Sequence, residues 1–192
     1  MNILIACEFS GIVRDAFIER GHNAVSCDLL PSESSYGPHY QGDVRDILND
    51  GWDIMIAHPP CTHLAVSGAA WFAEKRADGR QQTGIDFFME MINANIPKIC
   101  VENPVCIMSS VYRKPDQIIQ PYMFGHPESK KTCLWLKNLS KLTPTKDVKS
   151  DYDLLPKNQR ERIHYLPPSE DRWKLRSLTY PGIAEAMAVQ WG

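Results

Sequence analysis

The sequence predicts an α/β fold built on a mostly parallel sheet, and two patterns carry this prediction. Short apolar runs typical of buried strands alternate with segments whose apolar residues recur at helical spacing. Polar or acidic residues follow the strand-like runs, at the sheet edge where ligands bind in such folds. With 192 residues, 43% of them hydrophobic, the chain is long enough for one domain with a full core.

The first half of the chain contains the clearest elements. Residues 2–7 form an apolar run that predicts a buried strand. Residues 10–21 predict a helix that Ser10 caps and Gly21 closes. The following predicted elements are strands at 23–28 and 52–57, a turn carrying an acid at 41–48, a helix at 81–96 and a strand at 98–103.

After residue 104 the pattern weakens. Residues 132–139 alternate as a strand does, and a compact amphipathic helix is expected at 180–192 after a Pro-Gly pair. Residues 143–178 are polar and rich in proline, which predicts an irregular extension or a mobile loop. We therefore expect a single domain over 1–192, with 143–178 as a substrate-facing extension that is partly mobile without nucleic acid.

The composition argues against a membrane protein, a secreted protein and a protein held together by disulfides or a metal. No apolar run approaches the length of a membrane span, and the N-terminus resembles no signal peptide. The six cysteines are scattered without a CxxC pair, which favours a reducing, cytoplasmic location without disulfides or a metal site. A net charge of −2 indicates that any contact with nucleic acid depends on local patches. We expect no membrane partner, and the sequence predicts no oligomeric state.

Several chemically active residues follow predicted strands. They are Glu8 to Gly11, Asp28, Asp43, the run His58-Pro59-Pro60-Cys61, and Glu102-Asn103-Pro104. The two prolines hold the chain extended as it leaves the sheet, which aims Cys61 into the expected cleft. Taken singly, an acid at a strand end can be a cap, and a cysteine after prolines can be structural. Their joint order indicates a site.

These segments resemble a short, divergent DNA cytosine-5 methyltransferase. EFSGIVRDAF at 8–17 resembles the family's first motif, the turn under S-adenosylmethionine. PPC at 59–61 matches the Pro-Cys that presents the nucleophile, and VENP at 101–104 matches the Glu-Asn motif that grips cytosine. FGHPESKKTCLWL at 124–136 and TYPGIAEAMA at 179–188 resemble later motifs, in the same order.

The resemblance implies a Rossmann-like, S-adenosylmethionine-dependent methyltransferase fold with helices on both faces of the sheet and no large target-recognition domain. It implies S-adenosylmethionine as cofactor and Cys61 and Glu102 as catalytic residues. Short forms of the family are familiar from bacteriophage and prophage genomes, which implies the cytoplasm of a bacterial host. The implied cofactor-binding residues are Phe9, Ser10, Gly11, Asp28, Asp43 and Pro59.

The resemblance also implies covalent catalysis on DNA. The Cys61 thiolate attacks C6 of cytosine, Glu102 acts at N3, and C5 takes the methyl group. The base must be flipped out, or the substrate must be single-stranded DNA or a nucleotide. Arg113 and Lys114 are candidate phosphate contacts. The implied substrate-contacting residues are Asn103, Lys130, Lys131, Arg160, Arg162 and Trp173.

Departures from the family pattern leave other functions open. Val13 and Arg14 stand where the first motif has further glycines, and Thr62 follows the cysteine in place of the usual Gln. One alternative is hydroxymethylation of cytosine with a folate donor, or action on a free nucleotide. Others are methylation of an exocyclic amine and a catalytically inactive, methyltransferase-like binding protein.

Overall fold

In the computed structural model, which describes residues 1–192, seven strands form one sheet in the order β3-β2-β1-β4-β5-β7-β6. Strands β1 to β5 are parallel, and β7 runs antiparallel to both β5 and β6. This topology confirms the predicted Rossmann-like α/β fold with a mostly parallel sheet. The strands are β1 Asn2–Ala6, β2 Asn23–Asp28, β3 His39–Gln41, β4 Ile54–Ala57, β5 Lys98–Pro104, β6 Gln117–Ile119 and β7 Thr132–Lys137.

Nine α-helices surround the sheet, and three of them have eight residues or more. These three are α1 Ile12–Glu19, α3 Arg80–Asn93 and α9 Pro181–Trp191. The shorter helices are α2 Phe72–Ala77, α4 Met108–Val111, α5 Lys149–Leu154, α6 Lys157–Arg160, α7 Arg162–Tyr165 and α8 Arg172–Ser177. None of the helices is both long and apolar enough to cross a membrane.

The core lies on both faces of the sheet, as the resemblance implies. Alternate residues of a strand point to opposite faces, so Ile3 and Ile5 pack towards α1 and α9. Leu4 and Ala6 pack on the other face, with α3. Burial on both faces explains why β1 and β4 are continuous apolar runs rather than alternating ones.

The structure corrects the expectation for 143–178. This segment is not irregular: it contains the four short helices α5 to α8. Its prolines divide it, because a proline residue is tolerated at the beginning of a helix and not inside one. Pro156, for example, immediately precedes α6.

Other elements also differ in extent from the prediction. The helix expected at 81–96 ends at Asn93, because Ala94 is already extended and Ile96 precedes a proline. The turn expected at 41–48 is a 3₁₀ helix at Val44–Asp46. The Asp43 side chain caps it by accepting the Arg45 N–H at 3.0 Å.

Candidate active site

The carboxyl ends of β1, β2 and β4 lie at the same level, beside Val101 and Glu102 of β5. Ala6 is paired with both Cys27 and Ala57, and Ala57 is paired with Val101. Since all four strands are parallel, Cys7, Asp28, His58 and Glu102 are the next residues along one edge of the sheet. The structure therefore brings Asp28, His58 and Glu102, three of the residues that the sequence singled out, to one edge.

Asn103 holds the loop that carries Cys61. Its side chain is 1% exposed, and its Nδ2 donates to the Pro59 carbonyl at 2.9 Å and to the Glu102 carbonyl at 3.0 Å. The Cys61 carbonyl accepts the N–H groups of Leu64 and Ala65, which begin the next turn. The hydrogen bond between Asn103 and Pro59 thus holds this loop against β5.

Cys61 is partly buried beside charges of both signs. Burial raises the pKa of its thiol, and the Glu102 carboxylate adds to that rise, while Lys130 and Arg176 act in the opposite direction. The net rise keeps Cys61 mostly protonated at neutral pH. The nucleophilic form, the thiolate, must therefore be generated when substrate is in place.

Glu102 is hydrogen-bonded to His58, a residue that the sequence analysis included among the strand-end residues without giving it a role. The Nδ1 atom of His58 lies 2.9 Å from Glu102 Oε2, and the two side chains are only 12% and 16% exposed. Burial acts to raise the pKa of Glu102, but the hydrogen bond and charge of His58, with the charge of Lys130, hold it below its ordinary value. The position of His58, one residue beyond a buried strand, was the available signal.

Lys130 belongs to this site. Its Nζ donates to the Leu178 carbonyl at 2.8 Å, and it lines a small cavity with Glu102 and Tyr180. Burial lowers its pKa, opposed by the charges of Glu102 and Cys61. Lys130 is therefore a partly buried cation of the cleft, whereas Lys131 is exposed and forms no ion pair.

Arg113 and Lys114 lie away from the cleft. Arg113 is paired with Asp116 at 2.7 Å and donates to the Leu136 carbonyl at 3.1 Å. Leu136 is opposite Cys100, before the end of β5 at which Glu102 lies. The structure therefore does not bring these two candidate phosphate contacts to Cys61.

On the β1 side of the edge, the polar groups are bonded within the chain. Glu8 accepts the N–H groups of Val13 at 2.7 Å and Arg14 at 3.2 Å, so a carboxylate already caps α1. It also accepts from the Ser10 hydroxyl at 3.2 Å. Burial raises the pKa of Glu8. Gly11 precedes the helix with a φ of 76°, which favours glycine.

Arg14 occupies the space behind this turn. Its guanidinium is fully buried and donates to Ser26 Oγ at 3.0 Å and to the Ser34 carbonyl at 3.2 Å. A Cβ atom on Gly11 would lie 2.5 Å from Arg14 Nη2 and 2.9 Å from the Ser34 side chain. The turn that the resemblance places under the cofactor is thus filled on this side by the protein itself.

The two acids predicted to bind the cofactor differ in how many of their carboxylate oxygens are already hydrogen-bonded. Asp28 Oδ1 accepts the Leu30 N–H at 2.9 Å, and its Oδ2 has no hydrogen bond. Both oxygens of Asp43 are bonded to Arg45, at 3.0 and 3.1 Å. The backbone hydrogen bond from Arg45 is the main reason why the pKa of Asp43 is lowered. Asp28 is therefore the better placed acceptor for a ligand.

The helices of 143–178 cover both parts of the edge. The Trp173 ring lies 5.9 Å from the Phe9 ring, centroid to centroid, and Lys174 Nζ lies 3.7 Å from Glu33. Arg162 is paired with Glu128 at 3.1 Å. Arg160 packs over the Tyr152 ring, at 5.3 Å. Trp173, predicted to contact nucleic acid, thus packs on a predicted cofactor residue.

Known proteins are only distantly similar to this chain. No protein family and no curated protein matches the sequence. Two similar solved structures are the S. pombe Dnmt2 methyltransferase, at 14% identity, and the Entamoeba histolytica methyltransferase EhMeth, at 15%. Each alignment has a TM-score of 0.49 and covers 89% of this chain. The chain spans 61% and 64% of those two proteins, and similarity at this level says nothing about its substrate.

Proposed function

We propose that the protein transfers a methyl group from S-adenosylmethionine to C5 of cytosine in DNA, through a covalent adduct with Cys61. The observation that supports this most directly is the hydrogen bond that attaches the Cys61 loop to β5. Asn103 ties the Cys61 loop to the end of β5, which places the thiol within the field of the Glu102 carboxylate. A nucleophile and an acid that share one cleft are what addition across the C5–C6 bond of cytosine requires.

The residues of the cleft have separate roles in this reaction. The Cys61 thiolate bonds to C6, and the electron pair displaced from the C5–C6 double bond is stabilised when N3 takes a proton from Glu102. Lys130 and Arg176 favour the thiolate electrostatically. After C5 has been methylated, a base removes the C5 proton and the bond from sulfur to C6 breaks, which restores the thiolate.

S-adenosylmethionine supplies an electrophilic methyl group when it is bound. The β1–β2 side of the edge fits its nucleoside, because Asp28 retains an unbonded oxygen that can accept ribose hydroxyls. Trp173 and Phe9 provide aromatic surface beside it. The carboxylate of the cofactor must find donors other than the first N–H groups of α1, since Glu8 accepts them.

That same observation favours a second candidate function. A carboxylate of the protein stands where the resemblance would place the methionine end of the cofactor, and Arg14 fills the adjoining space. The chemistry of Cys61 and Glu102 is equally suited to hydroxymethylation of cytosine with a folate donor. Labelled S-adenosylmethionine and labelled methylene-tetrahydrofolate, offered separately with DNA, distinguish the two functions.

The direct test is mass spectrometry of nucleosides from the DNA of bacteria that express the protein. Since the resemblance is to phage-type enzymes, phage DNA from infected cells is analysed with host DNA. We expect 5-methylcytosine with the wild type and none with Cys61→Ser. The control is Cys106→Ala, which removes a different, buried thiol and leaves Cys61 in place. Equal 5-methylcytosine with and without the Cys61 thiol would refute the covalent mechanism, and 5-hydroxymethylcytosine would support the second candidate.

A further inference from the structure

His58 lies within reach of two carboxyl groups. Its Nδ1 is 2.9 Å from Glu102 Oε2, and its charge also acts on Glu8, at the end of β1. Its other ring nitrogen, Nε2, is buried and has no hydrogen-bond partner. Buried polar atoms without a partner are rare in folded proteins, so this one asks for an explanation.

The hydrogen bond fixes the form of both side chains. Glu102 is held ionised in the resting protein, so Nδ1 is the donor and Oε2 the acceptor. That leaves Oε1 as the carboxylate atom free to meet a substrate. An ionised carboxylate, however, has no proton to give to N3 of cytosine. The proposed reaction therefore needs a proton source next to Glu102.

We propose that His58 is a positioning residue that acts through Glu102: it holds Oε2 and passes to Glu102 the proton that N3 of the target cytosine takes. This inference rests on the proposed function, because only that reaction requires a proton at N3. Nε2 is the site at which the imidazole carries its second proton before the transfer, and its lack of a partner leaves it open to one.

The proton balance is closed within the pair. The Cys61 thiolate forms its bond to C6, and the π electrons move through C5 and C4 onto N3. Glu102, which is ionised at rest, takes the Nδ1 proton of the imidazolium, which becomes neutral, and gives that same proton to N3. When the C5 proton leaves to a base and the sulfur–C6 bond breaks, N3 returns its proton to the pair.

The charged groups around His58 come from several elements. Glu8 follows β1, Glu102 lies on β5, and Lys130 acts on Glu102 from the segment before β7. None of these groups is changed by His58→Asn, whose amide donates one N–H from a position close to that of Nδ1. Asparagine keeps the orienting hydrogen bond and cannot carry the additional proton.

The test is the pH profile of tritium release from DNA that contains [5-³H]cytosine, measured with wild type, His58→Asn and His58→Gln. The second variant presents the same amide from a longer side chain if the first folds poorly. We expect a bell-shaped profile for the wild type, in which ionisation of Cys61 gives the rising limb and loss of the proton from the His58–Glu102 pair gives the falling limb.

In His58→Asn the falling limb moves to lower pH, and the rate at neutral pH falls about tenfold or more. The control is His63→Asn, two residues beyond Cys61.

Three other outcomes overturn the inference in distinguishable ways. No tritium release by the wild type refutes the proposed function and this role with it. A His58→Asn profile identical to that of the wild type refutes the role of His58 alone. A lower rate with both limbs unmoved shows that His58 serves only to orient Glu102, which refutes the transfer of the proton.

Discussion

The two halves of the sheet edge differ in how completely their polar groups are hydrogen-bonded within the chain. Around β4 and β5, Glu102 keeps one oxygen unbonded, and Cys61 and Lys130 lie in the same cleft. Around β1 and β2, Glu8 caps α1 and Arg45 bonds both oxygens of Asp43. The first half keeps polar atoms free to meet a ligand, whereas in the second half most polar atoms other than Asp28 Oδ2 are hydrogen-bonded within the chain. A cofactor that binds the second half must displace or share existing contacts.

The largest expected effect lies in the β4–β5 half. Glu102→Gln keeps the shape of the side chain and removes the group that gives its proton to N3, so we expect the rate of methyl transfer to fall about 10²- to 10⁴-fold. Single-turnover transfer of labelled methyl groups to DNA measures it. Glu90→Gln, which alters a surface ion pair with Arg45, serves as the control. A loss below tenfold would contradict the acid role.

Trp173→Ala is expected to affect the β1–β2 half. Because Trp173 packs on Phe9, its loss should weaken the binding of S-adenosylhomocysteine about threefold to tenfold, the contribution of one aromatic pair. Calorimetry measures the affinity, and Trp71→Ala, which removes a tryptophan that is 63% exposed, is the control. A change in DNA affinity with unchanged cofactor affinity would show that Trp173 contacts nucleic acid, as the sequence predicts, and does not support the cofactor site.

A smaller effect is expected from the surface cations. Arg162 is already paired with Glu128, whereas Lys131 is exposed without an ion pair. We therefore expect Lys131→Ala to reduce the slope of log affinity against log salt by about 1, and Arg162→Ala to change it less. A gel-shift series in salt measures both slopes. If Arg160→Ala/Arg162→Ala has the larger effect, the ion pair with Glu128 opens when DNA binds.

The smallest expected effect is on the pH dependence of the free energy of unfolding. The carboxyl group in each half of the edge changes it in the opposite direction. The pKa of Glu8 is raised by burial, so the folded protein binds more protons than the unfolded chain and stability falls as pH rises above about 4.5. The pKa of Glu102 is lowered, so its contribution is lost as pH falls below that value. Urea unfolding between about pH 3 and pH 7 measures the difference, because the contribution of Glu102 is lost below about pH 4.5.

Each carboxyl group has its own variant in that experiment. Glu8→Gln should remove the fall in stability with rising pH, and Glu102→Gln should remove the rise. Parallel curves for the two variants would show that the two carboxyl groups do not differ in the way that their surroundings require.

The sequence was sufficient for the fold because the buried strands are continuous apolar runs and each is followed by a chemically distinctive residue. It was also sufficient to bring Cys61 and Glu102 to one edge, since parallel strands end together. It could not give the partner of Glu102, because a histidine after a strand has no spacing signature. Nor could it show that Lys130 points inward while Lys131 points outward, since adjacent lysines look alike in a sequence.

The helices of 143–178 were missed for a related reason. Each is four or six residues long, too short for an apolar periodicity to develop. Their positions depend on long-range contacts, such as the Ser129 N–H bonded to the Arg160 carbonyl at 2.7 Å. Tertiary contacts of this kind leave no local pattern.

The buried guanidinium of Arg14 has a consequence for local unfolding. It joins α1 to Ser26 of β2 and to Ser32 and Ser34 in the following loop. That loop also donates the Glu33 N–H to the Phe9 carbonyl at 2.8 Å. The loop therefore cannot detach without exposing the cation, and it should open only when the end of α1 opens. Amide hydrogen exchange at Glu33 should consequently be as slow as in the first turn of that helix, making the loop part of one cooperative unit rather than an independent flap.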